Sequence, residues 1–253
     1  MTTQGRLAAI RAIVVIVALA AVELLCRSGI IKPAVMIPPT EMAVELVRLL
    51  AAGRLTDDIR QTLVAVAAAL FLSVTAGFAV GVALHAAPRL RRAIDPLLAT
   101  YYAVPFFVFY PVLIALFGLS QWQVIVIAFL FAVVAMVINT LNGLDRIPRV
   151  FGKVARVHNM GPVETAIRLK LPAAAPHLFT GIKLAVAYSF IGVIACEFIM
   201  AASGVGYAVA YAYNNFDNRT MYALMLFVIT VVTVINMLLY TWEQRIMRRR
   251  FGR

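Results

Sequence analysis

Six stretches of this chain are apolar over about 20 consecutive residues each, the length that an α-helix needs to cross a lipid bilayer. A single soluble core could not hide that much apolar surface. The pattern predicts an all-α, polytopic membrane protein with six transmembrane helices, organised as one domain over residues 1–253. The predicted spans are residues 7–26, 62–84, 97–119, 124–141, 178–200 and 221–240.

The composition supports a membrane protein and excludes two other classes. Hydrophobic residues form 63% of the chain and charged residues 13%, against about 45–50% and 25% in soluble domains. A disordered chain is also excluded, because disordered segments are poor in apolar residues and rich in charge. The first apolar run has no clear small-residue cleavage site after it, so we interpret it as an uncleaved span rather than a signal peptide.

The net charge of +12 predicts an orientation rather than a nucleic-acid partner. Lys and Arg lie in short clusters between the apolar runs, and cytoplasmic loops of membrane proteins carry this excess. Most of the basic residues face the cytoplasm if both termini are cytoplasmic. We therefore expect a multi-pass membrane protein, in contact with lipid, with both ends inside.

Two connections between the predicted spans are expected to contain helices. In the first outer loop, Thr40 resembles an N-cap, and the segment from Glu41 to Leu50 has apolar residues at helical spacing. This predicts an amphipathic helix on the outer face. The fourth connection, residues 142–177, is the longest on the inside and predicts one or two short cytoplasmic helices. We call it the coupling loop.

A GxxxG pattern, Gly77 and Gly81, lies in the second predicted span. Small residues four apart let two helix backbones approach closely. We interpret the pair as a packing device within the subunit, and an interface with another subunit is the alternative.

The third predicted span contains Pro105 and Pro111 among aromatic residues. Each proline removes a backbone donor and clashes with the preceding turn, so the helix must kink. Broken helices at membrane depth are tolerated where they line a cavity. This favours a translocation path lined by Tyr101, Tyr102, Pro105 and Phe106, with a kinked packing helix as the alternative.

Glu197, near the outer end of the fifth predicted span, is also a candidate for the path. A carboxylate within a span is costly and suggests a functional site. We expect a structural or gating role rather than direct contact with substrate. Lys183, near the inner end of the same span, is expected to snorkel towards the interface.

Several motifs are absent from the sequence. There is no GxxxxGK[ST] motif for ATP and no HExxH motif. Cys26 and Cys196 have no CxxC or His partner pattern, which indicates buried apolar residues rather than a disulfide or a metal site. Nothing in the sequence indicates an enzyme, and we expect no cofactor on this chain.

The coupling loop resembles the EAA loop of the permeases of bacterial ATP-binding-cassette (ABC) importers. Residues 153–159 and, nine residues later, 169–172 follow its pattern. Ala155, Leu171 and Pro172 match, and Asn159 replaces the motif glycine, as Asn tolerates positive φ. Gly161 could instead be the motif glycine, but its spacing to Pro172 is then two residues shorter than in the motif. An ordered set of further matches, ending in Gly204 and Gly206, is similar to the nitrate, sulfonate and taurine branch.

The resemblance implies a type I importer permease fold with short cytoplasmic coupling helices. It implies two copies of a separate ATP-hydrolysing subunit, which bind the ATP, a second permease copy in a homodimer and an extracytoplasmic substrate-binding protein. The cargo would be a small anionic or zwitterionic solute moved by alternating access. The residues that would contact the ATPase are Ala155, Arg156, Val157, His158, Asn159, Met160, Gly161 and Glu164.

Three other interpretations stay open from the sequence. An ion-coupled secondary transporter would act without an ATPase, but it would need intramembrane acidic groups, which are scarce here. A membrane-embedded enzyme or scaffold would need a cluster of site residues. The coupling loop could also be a solvated basic turn held by anionic lipid.

Overall fold

The computed structural model describes residues 3–118 and 120–251, and all regular structure in them is helical. The helices are α1 Thr3–Arg27, α2 Pro39–Ala51, α3 Thr56–Ala86, α4 Pro88–Thr100, α5 Tyr110–Phe117, α6 Gln121–Asp145, α7 Val150–Val157, α8 Pro162–Thr165, α9 Leu171–Met200, α10 Val205–Asn214 and α11 Asn218–Phe251. The all-α membrane fold predicted from the sequence is confirmed. Leu119, the last residue of the third predicted span, lies outside the described residues.

Four helical segments in the described part of the chain are long and apolar enough to cross a membrane. They are Thr56–Ala86, Gln121–Asp145, Pro162–Met200 and Asn218–Arg245. A bent pair of helices, described below, could provide a fifth. Helix α1 covers the first predicted span, and the total of six spans stays a prediction.

The core lies where α3, α5, α6 and α9 meet. Ile127 and Ala128 of α6, Val193 of α9 and Ala69 of α3 are almost fully inaccessible there. The helix α6 is buried over most of its length because α3 packs on one side and α9 on another. The remaining spans expose apolar side chains, as a lipid solvent allows.

Gly77 and Gly81 bring α3 against α6, as their spacing predicts. A Cβ atom on Gly81 would lie 2.6 Å from Cβ of Thr140, and one on Gly77 would lie 2.7 Å from Cβ of Met136. Only a hydrogen at these positions permits the observed approach. The interpretation of the pair as a packing device within the subunit is confirmed.

The predicted amphipathic helix on the outer loop forms as α2, but its N-terminal contact differs from the expectation. The N-cap is Pro38, and Thr40 lies in the first turn. The carboxylate of Glu23, on α1, accepts the Thr40 amide N–H at 3.1 Å and the Thr40 hydroxyl at 2.6 Å. Thr40 is therefore not the cap: a carboxylate from a neighbouring helix accepts the N–H and hydroxyl of Thr40 in the first turn of α2.

The third predicted span is broken rather than kinked. α4 and the turn Tyr101–Ala103 form one arm, and the turn Phe106–Phe109 with α5 forms the other, at an angle of 88°. The break falls at Pro105, whose ring excludes the preceding residue from helical geometry. Pro111 begins α5 instead of kinking it, since a proline is well tolerated in a first turn.

Candidate functional site

The coupling loop folds into two short helices joined directly to a membrane helix. After α7, the chain makes a tight reversal and enters α8, a single turn of π-helix at Ala166–Lys170 and then α9. Pro162–Met200 is therefore one continuous helical segment of 39 residues. At about 1.5 Å per residue, such a segment can carry displacement of the loop across the membrane. We call its α8 side the loop end and its far side the Glu197 end.

The reversal after α7 is a Schellman C-cap with Asn159 at the left-handed position. Asn159 has φ 50°, its N–H bonds to the Arg156 carbonyl at 3.2 Å, and the Met160 N–H bonds to the Ala155 carbonyl at 2.9 Å. These are the two bonds that define the motif. Gly161 is extended, with φ −66° and ψ 164°. Asn159 therefore has the conformation expected of the motif glycine, and Gly161 does not.

The coupling loop presents apolar side chains to its surroundings. Val157 is 77% exposed, Val163 69% and Ile167 59%, although this loop lies beyond the predicted spans. Of the predicted contact residues, Ala155 is buried, Met160 and Glu164 are half-buried, and Arg156, His158, Asn159 and Gly161 are exposed. A surface of this kind, apolar with flanking charge, is typical of a protein interface.

Glu164 is engaged within its own helix. Its carboxylate lies 2.9 Å from the guanidinium of Arg168, one helical turn further on. Exposed pairs of this type contribute little to stability. Arg156, another predicted contact residue, has no carboxylate within ion-pair distance among the described residues.

The predicted path residues lie around the break in the third span, in different environments. The Tyr101 hydroxyl donates to the Leu130 carbonyl at 2.9 Å, and Tyr102 is exposed and stacks on Tyr188 of α9 with ring centroids 5.3 Å apart. Pro105 is exposed. Phe106 is only 5% exposed and packs against Tyr101 and Phe131. Phe106 would reach a path only if the break rearranged, and the lining of a path by these four residues stays a prediction.

Glu197 joins three elements at its end of the bundle. It is 3% exposed, and its carboxylate accepts the hydroxyl of Thr62, on α3, at 2.8 Å and the N–H of Gly206, in α10, at 2.9 Å. The same Thr62 hydroxyl oxygen accepts the Val205 N–H at 2.8 Å. Asp58 accepts the Gly204 N–H at 2.8 Å. Two carboxylates therefore cap the first turn of α10, where the helix dipole favours negative charge.

Gly204 fits this arrangement because it lacks a side chain. Its φ is +103°, and a Cβ atom there would lie 2.4 Å from the Glu197 carboxyl carbon. The tight fit means that Glu197 fixes the position of α10 against α9 and α3.

A cavity of about 200 Å³ adjoins Glu197. Besides Glu197, its polar lining comes from Ser120, Gln121, Gln123 and Ser203, and Gln123 is itself buried. The Glu197 carboxylate is already engaged by the Thr62 hydroxyl and the Gly206 N–H, so it acts there as a structural cap.

Sequence reasoning missed two sets of contacts around these residues. Thr62 and Asp58 lie 135 and 146 residues from their partners, so no local pattern could reveal them. Lys183 was expected to snorkel, yet its Nζ lies 2.6 Å from a carboxylate oxygen of Glu243 on α11. The extension of α11 well past residue 240 brings that carboxylate within reach.

The chain shares its fold with a solved transporter structure. A solved structure of the MetNI methionine ABC transporter, in inward-facing conformations, superposes with a TM-score of 0.63 at 20% identity, over 77% of this chain and 95% of that one. The chain belongs to the family described as binding-protein-dependent transport system inner membrane component, whose sequence profile matches residues 69–252.

Curated relatives point to the same family. The nitrate import permease protein NrtB of Leptolyngbya laminosa is 29% identical over 72% of this chain and 65% of its own length. The bicarbonate transport system permease protein CmpB of Synechococcus elongatus is 30% identical over 61% of this chain and 56% of its own. The putative aliphatic sulfonates transport permease protein SsuC of Bacillus subtilis is 25% identical over 77% of this chain and 71% of its own length. The chain therefore spans less than two thirds of the nitrate and bicarbonate permeases.

Proposed function

We propose that this chain is the membrane-spanning permease subunit of an ATP-driven importer for a small anionic or zwitterionic solute. The observation that carries the proposal is the coupling loop, which exposes apolar surface on α7 and α8 and continues without interruption into a membrane helix. A loop that faced only water would gain nothing from exposing Val157 and Val163. Docking of a partner on this surface explains the exposure.

The ATP-hydrolysing partner supplies the energy in this proposal. ATP binds to that subunit, in two copies, and this chain holds no cofactor. Docked on α7 and α8, the ATPase would move Pro162–Met200 as one body, and the movement would reach Glu197 and α10. A second permease copy completes the pore as a homodimer, a substrate-binding protein delivers the cargo from outside, and both termini face the cytoplasm.

The nature of the cargo follows from relatives rather than from the chain itself. The curated relatives are named for nitrate, bicarbonate and aliphatic sulfonates, which are small anions. The family is a class of transport components rather than enzymes.

Secondary transport has little support, because the carboxylates expected to bind a coupling ion are engaged. Glu23 is held by Thr40 and Arg27, and Glu197 by Thr62 and Gly206.

The test is affinity capture of the tagged chain from native membranes, followed by reconstitution. Mass spectrometry of the eluate identifies the partners, and proteoliposomes then report flux of labelled nitrate, bicarbonate or ethanesulfonate with MgATP or a non-hydrolysable analogue. The proposal predicts a co-purified ATPase and flux that requires hydrolysis. Flux driven by an ion gradient without any ATPase would overturn it.

A further inference from the structure

At the loop end, charged side chains join the last residue of α6 to the consecutive helices α3 and α4, which are distant from it in the sequence. Asp145 is the last residue of α6, Arg91 and Asp95 lie on α4, and His85 lies near the end of α3. Arg91 and Asp145 are separated by 54 residues. The cluster therefore links the start of the coupling loop to the first arm of the broken third span.

The central contact is bidentate. Nη1 of Arg91 donates to Oδ1 of Asp145 at 2.8 Å, and Nη2 donates to Oδ2 at 2.6 Å. Nδ1 of His85 lies 3.1 Å from the same Oδ1, and Nε of Arg91 lies 3.7 Å from Oδ1 of Asp95. Paired parallel hydrogen bonds between guanidinium and carboxylate fix the mutual orientation as well as the distance.

Helix α4 has few other contacts that could fix its position. It has no buried residue, and only Ile94 and Leu98 pack, partly buried, against the cluster formed by Leu84, Val137 and Leu141. Small apolar contacts of this kind resist separation but allow sliding, because they are not directional. The ion pair therefore sets the orientation of α4 relative to α6.

The position of Asp145 gives the ion pair its significance. The coupling loop leaves α6 at this residue, and α7 begins at Val150. On the other side, Arg91 lies on the arm Pro88–Ala103, whose last turn contains Tyr101 and Tyr102. Movement of α7 by a docked ATPase would act on Asp145 at the point where the loop begins.

We infer that the Arg91–Asp145 ion pair is a positioning contact that transmits movement of the coupling loop to the broken third span. The inference rests on the proposed function. Movement of the coupling loop would then have two routes: the continuous helix Pro162–Met200 and the Arg91–Asp145 ion pair. The first route reaches the Glu197 end, and the second reaches the aromatic residues at the break. Arg91 and Asp145 touch neither cargo nor nucleotide in this account.

The ratio of transport to ATP hydrolysis distinguishes this role from a purely structural one. Loss of a structural contact would lower stability, ATPase activity and transport together. Loss of a transmitting contact leaves the ATPase docked and active while transport falls. The ratio of cargo moved to ATP hydrolysed is therefore the informative quantity.

The experiment compares Arg91→Gln and Asp145→Asn with Arg92→Gln in proteoliposomes that contain the co-purified complex. Arg92 is the matched control, since it lies next along α4 and, among the residues that the structure describes, its side chain donates only to the Pro88 carbonyl, at 3.4 Å. We expect the transport-to-ATP ratio to fall by about tenfold in the first two variants, within the range of couplings between sites, and to stay unchanged in the control. The exchanged pair, Arg91→Asp with Asp145→Arg, is expected to recover part of the ratio.

The possible failures are distinguishable. If the wild type shows no ATP-dependent flux, the proposed function fails, and this inference with it. If the wild type transports and both single variants keep the wild-type ratio, only this inference is overturned. If Asp145→Asn expresses poorly, Arg91→Lys provides the same test, because it keeps the charge but loses the bidentate geometry. An unchanged ratio in that variant would also contradict the inference.

Discussion

At one end of the helical segment Pro162–Met200, Glu197 is buried and its carboxylate accepts hydrogen bonds from Thr62 and Gly206. At the other end, Val163 and Ile167 are exposed. The Glu197 carboxylate is thus paired within its own chain, whereas no element in the described part of the chain covers the apolar surface at the loop end. Substitutions at the two ends should therefore affect different quantities. Those at the Glu197 end should lower the stability of the fold, and those at the loop end should weaken binding of a partner.

The largest effect on stability is expected from Gly204→Ala. The new Cβ atom would lie 2.4 Å from the Glu197 carboxyl carbon at a φ of +103°, so steric clash and backbone strain act together. We expect a loss of about 3 kcal/mol or more, measured by thermal unfolding in detergent. Gly29→Ala is the control, because Gly29 also has positive φ, +77°, but no atom within 4 Å of the new Cβ. Equal losses in both variants would contradict the tight fit at Glu197.

The next effect is expected from removal of the Glu197 carboxylate. Glu197→Ala leaves the Gly206 N–H and the Thr62 hydroxyl buried without their acceptor, which costs about 2–4 kcal/mol. Glu197→Gln keeps one acceptor oxygen and should lose less. The exposed Glu41 provides the matched control as Glu41→Ala. If the Ala and Gln variants of Glu197 unfold at the wild-type temperature, the carboxylate does not cap α10.

A smaller effect is expected at the cap of α7. Asn159→Ala places a less tolerant residue at φ 50° and should cost about 1 kcal/mol, whereas Asn159→Gly should be neutral or slightly stabilising because glycine adopts this conformation freely. Both variants remove the Asn159 side chain, but only glycine adopts the left-handed conformation freely. The difference between their unfolding temperatures therefore measures the cost of that backbone conformation. Equal destabilisation by both would show that the amide group, and not the left-handed backbone, is what matters at this position.

The sequence predicted the features that depend on spacing along one helix or on one residue's conformational preference. The close approach at Gly77 and Gly81, the helix that forms as α2 and the left-handed position of Asn159 are all of this kind. The helical membrane fold and the permease family followed from apolar runs and an ordered motif. Each of these is a local property that the chain carries before it folds.

Contacts between distant elements were not predictable in the same way. Thr40 was expected to be a cap, but Glu23 on α1 satisfies its amide instead. The kink expected in the third span became an 88° break, because the arms before and after Pro105 have separate packing partners. The engagement of Glu197 by Thr62 and α10 depends on where three helices meet, which is a property of the assembled fold.

The most direct test of the central account is capture of the ATPase by the wild type and by Val157→Asp. Val157 is the most exposed valine of the loop, so its replacement should change the stability of the chain by no more than about 0.5 kcal/mol. The account predicts that the wild type retains the ATPase and that Val157→Asp loses it at an unchanged unfolding temperature. Retention of the ATPase by Val157→Asp at the wild-type level, or its absence from the wild type, would contradict the account.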